Sequence, residues 1–416
     1  MASLSSMNSH SCRFCGAKLE HTVVDLGMSP LCESFLTEAQ LDAAEGFYPL
    51  RVQVCRECFL VQLAEYVRPD HIFTEYAYFS SFSTSWLEHA KAYVGMIAER
   101  QQLGANSLVI ELASNDGYLL QNFVERGIPC LGIEPAANVA KVAREKGVPT
   151  EVTFFDAAAA QKLRAAGKQA DLIVANNVLA QVPDINAFVA GFPIVLKPQG
   201  TVTCEFPHLQ RLFEGNQFDT IYHEHFSYFS LLTIEAIFAK HGLTVFDVEE
   251  LWTHGGSLRI YARHASDTSR PATAALQALR AREIAQGFDK IETYANFEQQ
   301  VRATKRNLLA VLIEAKQAGK RIVGYGAPGK GNTLLNYCGI GPDFLDFTVD
   351  RNPYKHGRFT PGTHIPILAP EALDAARPDY ILILPWNVKD EIMAQLAHAR
   401  AWGARFIIPI PVATVV

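Results

Sequence analysis

Short apolar runs alternate with Ala-rich amphipathic stretches between residues 107 and 205. The runs include SLVIELA, CLGIEP, DLIVANNVLA and TVTCEFP, and the stretches between them, such as ANVAKVAREKG, have apolar residues at three- and four-residue spacing. This alternation is typical of a parallel sheet with helices on both faces. We expect residues 231–265 to add one helix and two strands to this sheet.

A second strand, glycine turn and helix are predicted in RIVGYGAPGKGNTLLNYCG, residues 321–339. A polar segment with a proline at 264–273 is predicted to be a linker, and one long helical stretch follows it, ending in glycine at 319. The pattern predicts an α/β protein of three domains, at residues 1–75, 76–268 and 269–416.

Composition narrows the possible functions. The chain has 416 residues, 49% of them hydrophobic and 19% charged, with a formal net charge of -6, which describes a globular protein with large cores. The charge gives no basic surface for a nucleic acid. No apolar run approaches the roughly 20 residues that cross a bilayer, and MASLSSMNSHSC lacks a signal-peptide pattern. A cytoplasmic protein that binds neither nucleic acid nor membrane is therefore predicted.

Four of the eight cysteines form two CxxC pairs, Cys12 with Cys15 and Cys55 with Cys58. Two such pairs can surround one tetrahedral zinc ion and stabilise a segment that has little core of its own. Disulfides are the alternative, disfavoured in a reducing compartment, and a redox CxxC would need only one pair. We predict a structural zinc site, with the residues between the two pairs folded around the metal.

The segment ELASNDG, followed by GIEP, predicts a nucleoside site at the carboxyl edge of the first sheet. Glu134 follows Glu111 by 23 residues, a spacing that suits a carboxylate on ribose hydroxyls. Asn115 and Asp116 stand where a pyrophosphate would be repelled, so a cationic adenosyl ligand, S-adenosylmethionine, fits better. An ordinary strand-to-helix turn is the alternative. The candidate cofactor-binding residues, which include part of the upstream segment EYAYFSS, are Tyr76, Tyr78, Ser80, Glu111, Ala113, Asn115, Gly117, Glu134, Pro135, Asn176 and Asn177.

The stretch TIYHEHFSYFS, residues 220–230, concentrates proton-handling side chains. Histidine titrates near neutrality and is the commonest general base. In a strand, Tyr222 and Glu224 would share one face and His223 and His225 the other, whereas a loop or helix start would group them differently. Polar residues of a capped helix and a metal site of two histidines and a glutamate are the alternatives.

The glycines of GYGAPGKG are predicted to offer bare amides to a phosphate, with Lys330, Lys355 and Arg358 as nearby cations. The segment is not a Walker A loop, because Lys330 is followed by Gly331. A diphosphate on the substrate is the favoured ligand, and a glycine-permitted turn with solvated lysines is the alternative. The HGG sequence at 254–256 permits close approach of the backbone to a ligand.

Together and in this order, the CxxC pairs, ELASNDG with GIEP, IYHEHFSYFS, HGGSLR, GYGAPGKG and TPGTHIPI resemble the S-adenosylmethionine-dependent sugar C-methyltransferases that act on nucleotide-linked 4-keto-deoxysugars. The resemblance covers nearly the whole chain. It implies an N-terminal zinc-binding domain, a central Rossmann-like methyltransferase domain that binds the methyl donor, and a C-terminal Rossmann-like α/β domain that holds the nucleotide diphosphate.

The resemblance also implies a reaction, methylation at carbon 3 of a 4-keto-6-deoxysugar linked to thymidine or guanosine diphosphate. His225 would be the base that removes the carbon 3 proton, and Tyr222 and Glu224 would assist. A monomer is predicted, and a reductase or epimerase of the same substrate class is the alternative function. The candidate substrate-binding residues are Gln181, His223, His254, Lys330, Lys355 and Arg358. At Gln181 the chain departs from the family, which has a histidine nearby; glutamine cannot shuttle a proton.

Overall fold

The computed structural model describes residues 11–66, 80–82 and 84–416. The strands are β1 (His21–Ser29), β2 (Tyr48–Val54), β3 (Val61–Leu63), β4 (Val109–Leu112), β5 (Cys130–Ile133), β6 (Thr150–Glu151), β7 (Ala170–Asn176), β8 (Leu196–Pro207), β9 (Ser227–Tyr228), β10 (Leu243–Leu251), β11 (Ser257–His264), β12 (Ile322–Tyr325), β13 (Thr348–Val349), β14 (Arg358–Phe359), β15 (Pro366–Leu368), β16 (Tyr380–Ile383), β17 (Arg405–Ile408) and β18 (Thr414–Val415). The α-helices are α1 (Thr84–Arg100), α2 (Gln121–Glu125), α3 (Ala137–Glu145), α4 (Ala157–Ala165), α5 (Ile185–Val195), α6 (Leu209–Glu214), α7 (Leu231–Lys240), α8 (Ala274–Ala285), α9 (Glu292–Ala295), α10 (Phe297–Gln317), α11 (Gly329–Cys338), α12 (Glu371–Ala376) and α13 (Lys389–Gln395).

The chain divides into two compact units. The first unit comprises Met1–Glu20, Cys55–His208 and Phe226–Lys290, and the second unit comprises His21–Val54, Leu209–His225 and Ile291–Val416. Both units are α/β, as the sequence predicts. The three-domain division at residues 75 and 268 stays a prediction.

The first unit contains a seven-stranded sheet in the order β10-β11-β8-β7-β4-β5-β6. Neighbours from β8 to β6 are parallel, and β10 and β11 extend the sheet with antiparallel pairing. The predicted alternation and the completing strands are thus confirmed. Side chains of Asp156, Asp184 and Ser230 accept backbone N–H groups at the starts of α4, α5 and α7, which satisfies donors that a helix start leaves unpaired.

Burial explains why these segments pack as they do. All four residues of β4 and of β5 are buried, as expected for strands covered on both faces. On α1, Ala90, Val94 and Ile97 are buried at helical spacing. Cys12 and Cys55 belong to the same apolar cluster as the strands of the sheet, so the cysteine pairs share a core with the first unit.

The second unit contains a seven-stranded sheet in the order β14-β15-β13-β12-β16-β17-β18. Its five central strands are parallel, and β14 and β18 are antiparallel edge strands. The antiparallel pair β1 and β2 also belongs to this unit. That the residues between the two CxxC pairs fold around the metal stays a prediction.

Two further sequence expectations have different outcomes. The predicted linker has no helix or strand between His264, where β11 ends, and Ala274, where α8 begins, but it lies inside the first unit, so its role as a link between two domains stays a prediction. The long helical stretch that follows it is helical but interrupted: α8 ends at Ala285, α9 is short, and α10 begins at Phe297 and ends shortly before Gly319. Gly287 lies between them with φ 79°, a backbone conformation that interrupts a right-handed helix. Among the described residues, no helix combines the length and apolarity that a membrane crossing requires.

Candidate active site

The four cysteines of the CxxC pairs lie together in the first unit, with their sulfur atoms all within 4.8 Å of one another. Cys12 Sγ is 3.5 Å from Cys58 Sγ, and Cys15 Sγ is 3.5 Å from Cys55 Sγ. Thiolates bound to one tetrahedral zinc at about 2.3 Å lie at roughly these separations. All four are free thiols, so the set fits a structural zinc ion with every position filled by sulfur.

Backbone turns and one side chain arrange these sulfurs. The N–H of Gly16 donates to the carbonyl of Cys12 at 2.9 Å, and the N–H of Phe59 donates to the carbonyl of Cys55 at 2.9 Å. Gln62 Nε2 donates to Cys12 Sγ at 3.2 Å, a bond that stabilises a thiolate and orients it. The site is therefore supported beyond its four ligands.

The turn after β4 is shaped by left-handed residues. Ala113, Asn115 and Gly117 have φ values of 54°, 49° and 77°, and a Cβ on Gly117 would lie 3.0 Å from Val148. Glu134, directly after β5, accepts the N–H of Asn115 at 2.9 Å and that of Ala136 at 2.8 Å. The structure thus brings the predicted turn and the predicted ribose carboxylate together.

Several buried polar atoms at this turn and at the end of β7 have no hydrogen-bond partner among the described residues. They are Glu111 Oε2, Ser114 Oγ, Asp116 Oδ1, Asn176 Oδ1 and both amide atoms of Asn177. Leaving a buried polar group unsatisfied costs about 1–3 kcal/mol, and native proteins retain few such groups. Their concentration at the carboxyl ends of β4 and β7 fits a polar ligand, as S-adenosylmethionine is.

The electrostatics of this cluster favour a cation. Burial, with the charges of Glu134 and Asp116, raises the pKa of Glu111 well above its usual value. Burial also raises the pKa of Glu134, partly offset by the two backbone N–H donors. Asp116 is paired with Lys146 at 3.1 Å. A ligand with positive charge would stabilise the ionised form of Glu111.

Ser80 joins this site through its backbone, since its N–H donates to Asn115 Oδ1 at 3.0 Å. Pro135 follows Glu134 and is half-buried. Tyr76 and Tyr78, predicted to line the same cleft, lie outside the described residues. Asn177 has φ 54° and donates its N–H to the carbonyl of Glu205 at 2.7 Å.

The stretch at 222–225 forms a turn in the second unit, closed by the His225 N–H, which donates to the Tyr222 carbonyl at 2.9 Å. The Tyr222 hydroxyl lies 3.0 Å from His225 Nε2, and the two ring centroids are 4.1 Å apart. His225 Nδ1 is 3.2 Å from the carbonyl oxygen of Thr220. A carbonyl only accepts, so Nδ1 carries the proton, and Nε2 of the neutral ring is the basic nitrogen.

The two residues between Tyr222 and His225 have other partners in the second unit. Glu224 is 6% exposed, and its Oε1 accepts the thiol of Cys32 at 3.7 Å. Burial, together with the charge of Glu33, raises the pKa of Glu224 to about 8, so this carboxyl is largely protonated at pH 7. His223 Nε2 lies 3.2 Å from the carbonyl of Pro49, and burial lowers the pKa of His223.

Two backbone N–H groups of the glycine turn after β12 are already hydrogen-bonded within the protein. The N–H groups of Gly326 and Ala327 donate to the Val349 carbonyl at 2.6 Å and to Asp350 Oδ2 at 2.7 Å. A Cβ on Gly326 would lie 2.6 Å from Pro385, so close backbone packing requires glycine there. The expectation of bare amides is therefore wrong at these two positions.

The three cations predicted near this turn lie in different environments. Lys330 donates to Asn387 Oδ1 and stands 4.7 Å from the Trp386 ring centroid; burial lowers its pKa to about 8. Lys355 pairs with Glu33 at 3.5 Å. Arg358 is exposed and donates to the Tyr354 carbonyl at 3.1 Å.

Gln181 and His254 lie in the first unit, both half-buried. Gln181 ends a short 3-10 helix that starts at Leu179. His254 has φ 55°, and its ring packs edge-on against Trp86 with centroids 5.2 Å apart. A left-handed backbone at a histidine is uncommon and is a reason to suspect function.

Sequence reasoning missed three groups that the structure brings out. Lys146 donates to Asp116 and to Ser81 Oγ, contacts that depend on the fold and leave no local signal. The buried Glu205 accepts from His89, Arg259 and Thr253; burial opposes its charge, but the His89 bond and Arg259 lower its pKa to about 2. A glutamate inside the apolar run TCEFP was a signal for this network. The third group is the pair Asp219 and Trp386, whose bond is 2.6 Å long.

Three family models match consecutive segments of the chain. Residues 12–73 match "Putative zinc binding domain", residues 86–248 match "Methyltransferase domain", and residues 252–411 match "C-methyltransferase C-terminal domain". The first segment contains all four clustered cysteines, and the second contains the turn after β4.

Solved structures match a smaller part of the chain. The magnesium protoporphyrin IX methyltransferase of Synechocystis PCC 6803, solved with bound S-adenosylmethionine, is 14% identical, with 42% of this chain and 78% of that chain covered and a TM-score of 0.32. An S-adenosylmethionine-dependent methyltransferase of Clostridium acetobutylicum ATCC 824 is 12% identical, with 43% and 92% covered and a TM-score of 0.35. Likeness of this degree assigns no function.

A relative with a known name spans nearly the whole chain. C-methyltransferase NovU of Streptomyces niveus is 37% identical over 405 residues, which are 96% of this chain and 95% of NovU. The match includes the zinc-binding segment and both α/β parts. The chain therefore belongs to the C-methyltransferase family of NovU and is an S-adenosylmethionine-dependent methyltransferase with a four-cysteine zinc-binding domain.

Proposed function

We propose that this enzyme methylates carbon 3 of a nucleotide-diphospho-4-keto-6-deoxysugar. The sugar substrate rests on the resemblance of the sequence motifs, and C-methylation as such agrees with the name of NovU. The observation that carries the proposal is the pair of Tyr222 and His225, in which Nε2 of a neutral imidazole is the basic atom. A carbon acid needs such a base near neutral pH.

The proposed reaction divides into proton removal and methyl transfer. The ketone at carbon 4 acidifies the carbon 3 hydrogen, and His225 Nε2 takes this proton as the C–H electrons become an enolate. S-adenosylmethionine supplies, when bound, an electrophilic methyl group on a sulfonium. The enolate carbon forms the new C–C bond as the S–C bond breaks, so the electron pair ends on a neutral thioether.

The neighbours of His225 are assigned assisting roles. Tyr222 holds the imidazole through its hydroxyl and its tilted ring, and after proton removal its hydroxyl can accept the proton from Nε2 while passing its own onward. Glu224, with a pKa of about 8, is a poor base at pH 7 and serves as a neutral acid that positions the turn. Developing enolate charge requires hydrogen-bond donors at the carbonyl oxygen.

The donor site is proposed in the first unit, where Glu134 takes the ribose hydroxyls and Glu111 faces the positive charges. If Glu134 accepts hydrogen bonds from the ribose hydroxyls, its oxygens must either share these bonds with the backbone N–H groups of Asn115 and Ala136 or exchange them. The nucleotide diphosphate is assigned to Lys355, Arg358 and Lys330 rather than to the Gly326 and Ala327 amides, which already have acceptors. Gln181, His223 and His254 are proposed sugar contacts.

Activity on defined sugars tests the proposal. Purified enzyme is incubated with S-adenosylmethionine and thymidine- or guanosine-linked 4-keto-6-deoxysugars made in place by a dehydratase, and products are weighed by mass spectrometry. One added CH₂ on a sugar, placed on carbon 3 by NMR, is expected. No mass gain on any sugar, while the donor binds, would reject this substrate class.

The His225→Ala variant tests the assignment of the base. We expect turnover to fall by at least about 10²–10⁴-fold, the usual contribution of a general base, with donor affinity unchanged by calorimetry. The matched control is His398→Ala, since His398 is a half-exposed histidine paired with Asp374, and it should retain wild-type turnover. If His225→Ala kept wild-type turnover, the assignment of His225 as the base would be rejected.

The proposal includes predictions of the nucleotide, the oligomeric state and the cellular compartment. The nucleotide is thymidine or guanosine diphosphate, the enzyme is a monomer, and it works in the cytoplasm. The substrate panel decides the first, and light scattering of the purified enzyme decides the second.

A further inference from the structure

A short 3-10 helix, Phe218–Thr220, immediately precedes the turn that carries His225. Its last residue, Thr220, supplies the carbonyl that accepts from His225 Nδ1 at 3.2 Å. The position of this carbonyl therefore favours the tautomer of His225 that carries its proton on Nδ1. What fixes the short helix also fixes the tautomer of His225.

The short helix is fixed by a buried bond to Trp386, in the segment that follows β16 of the second unit. Asp219 is fully buried, and its Oδ2 accepts the indole N–H of Trp386 at 2.6 Å. Trp386 lies three residues after β16 and is 9% exposed. Asp219 Oδ1 has no hydrogen-bond partner among the described residues, so the indole is a main anchor of this carboxylate.

The bond between Asp219 and Trp386 is strengthened by charge. Burial raises the pKa of Asp219 to about 6, although Lys330 and the indole bond oppose the shift. Asp219 is therefore mostly ionised above pH 7, and the N–H bond to it is charge-assisted, roughly twice as strong as a neutral one. Two weaker contacts act beside it: the Thr220 hydroxyl donates to the Gln217 carbonyl at 2.7 Å, and the Thr333 hydroxyl donates to the Ile221 carbonyl at 3.2 Å.

We propose that Asp219 and Trp386 are positioning residues for His225. Their bond holds the 218–220 helix in place, so that the Thr220 carbonyl keeps the proton on Nδ1 and leaves Nε2 as the basic nitrogen. Neither residue needs to touch substrate, because both act through His225. The catalytic meaning of this arrangement rests on the proposed function, whereas the tautomer itself does not.

Loss of the indole N–H should release the constraint without opening a large cavity. Trp386→Phe retains an aromatic ring but removes the indole donor of the buried Asp219, whose carboxylate then keeps only the backbone N–H groups of Asp219 and Thr220. The helix then shifts, the Thr220 carbonyl no longer selects one tautomer, and part of the population carries its proton on Nε2. That fraction cannot accept a proton at Nε2, so turnover falls while binding of donor and sugar is retained.

The test measures the tautomer and the kinetics of the same variant. Histidine ring nitrogens are labelled with ¹⁵N, and the His225 signals are assigned by their loss in His225→Ala. In the wild type the proton is expected on Nδ1, and in Trp386→Phe a mixture of tautomers is expected. In Trp386→Phe, kcat should also fall about 10- to 100-fold, whereas KM and the donor Kd should stay within about threefold of the wild-type values. The lower limb of the kcat pH profile should move.

Trp402→Phe is the matched control, because Trp402 Nε1 donates to the Pro378 carbonyl at 3.2 Å in the same unit. It should keep the wild-type tautomer and kcat. If Trp386→Phe does not fold, Asp219→Asn carries the same readouts, since the amide oxygen still accepts the indole N–H but its charge is lost; an intermediate loss of the Nδ1 tautomer is expected.

Two results would overturn the inference. One is a proton on Nε2 of His225 in the wild type. The other is an unchanged tautomer and kcat in folded Trp386→Phe, or in Asp219→Asn if that variant is used in its place. Failure of the proposed function is a different result. Should His225→Ala keep its turnover, the base assignment fails, yet the ¹⁵N signals still report whether Asp219 and Trp386 set the tautomer.

Discussion

After β4 in the first unit, the chain turns toward α2, and the buried Glu111 carboxylate has one oxygen without a hydrogen-bond partner among the described residues. After β12 in the second unit, the chain turns toward α11, and Asp350 accepts the Ala327 N–H of that turn at 2.7 Å. Both are strand, turn and helix units in parallel sheets. Buried polar atoms at the first turn lack partners in the part of the chain that the structure describes, whereas the second turn is completed by a neighbouring strand end.

This difference separates a ligand site from a structural turn. Unsatisfied buried atoms cost stability and are retained where a ligand pairs with them. A glycine-rich turn, in contrast, can serve backbone packing alone, as the contact of Gly326 with Pro385 shows. The first unit also holds four clustered thiols. We therefore expect ligands to matter most in the first unit.

Removal of zinc should have the largest effect. Structural zinc contributes folding free energy directly, so a loss of about 5 kcal/mol would lower Tm by about 10 °C or more, at a few degrees per kcal/mol. Thermal unfolding before and after dialysis against a chelator measures this effect, and added zinc should reverse it.

Cys58→Ser and Cys338→Ala form the matched pair for this experiment. Cys58 belongs to the thiol cluster, whereas Cys338 is a buried thiol of the second unit. Elemental analysis should find less than one zinc per chain in the first variant and one in the second. Equal zinc in both variants would show that the metal lies elsewhere.

Glu111→Gln should give the next largest effect, on binding of the donor. The variant keeps the size of the side chain but loses its negative charge, and a charge-assisted hydrogen bond is worth about 1.5–3 kcal/mol, or about 10- to 100-fold in Kd. Calorimetry with S-adenosylmethionine measures it. Asp350→Asn should leave the donor Kd unchanged, and an equal loss in both variants would erase the distinction between the two turns.

The two turns also differ in how far the sequence predicts them. Glu111, Ala113, Asn115, Gly117 and Glu134 were predicted as one site from strand ends and spacing alone, because parallel strands bring their carboxyl ends to one edge. The structure places these residues at one edge of the sheet. Their role in binding the cofactor stays a prediction for each residue.

The glycine turn was predicted less well, because the acceptors of its amides come from distant positions. Val349 and Asp350 lie more than 20 residues after Gly326, and no local pattern says that they fill its hydrogen bonds. The same limit applies to Tyr222 and His225. Their sequence spacing allowed several groupings, and only the turn at 222–225 decides that these two rings pair while Glu224 faces Cys32.

A smaller effect is expected from pH. Because the pKa of ligand-free Glu111 is raised, this carboxyl is mostly protonated at pH values below that pKa. A cationic donor favours its ionised form. Binding then releases a proton, so donor affinity should rise several-fold as pH increases, until Glu111 is ionised without ligand.

Calorimetry in two buffers of different ionisation enthalpy detects this proton release. Glu134 and Asp116 face the same carboxylate and contribute to its shift, so the variant is the decisive control. In Glu111→Gln the slope of affinity against pH should vanish. A slope that persists in that variant would assign the proton to another group.

The smallest effect is expected at the second turn, where Asp350→Asn tests whether the protein itself completes it. Asp350 accepts the Ala327 N–H through Oδ2 and the Asn352 N–H through Oδ1, and an amide retains only one of these acceptors. One lost hydrogen bond costs about 0.5–1.5 kcal/mol in free energy of unfolding, measurable by urea denaturation. Because the Asp350 side chain pairs with these N–H groups without a ligand, the loss in free energy of unfolding should be the same with and without a nucleotide diphosphate. If the diphosphate instead restored the stability of Asp350→Asn to the wild-type value, the amides would be binding phosphate in place of Asp350, and the second turn would be a ligand site as the first one is.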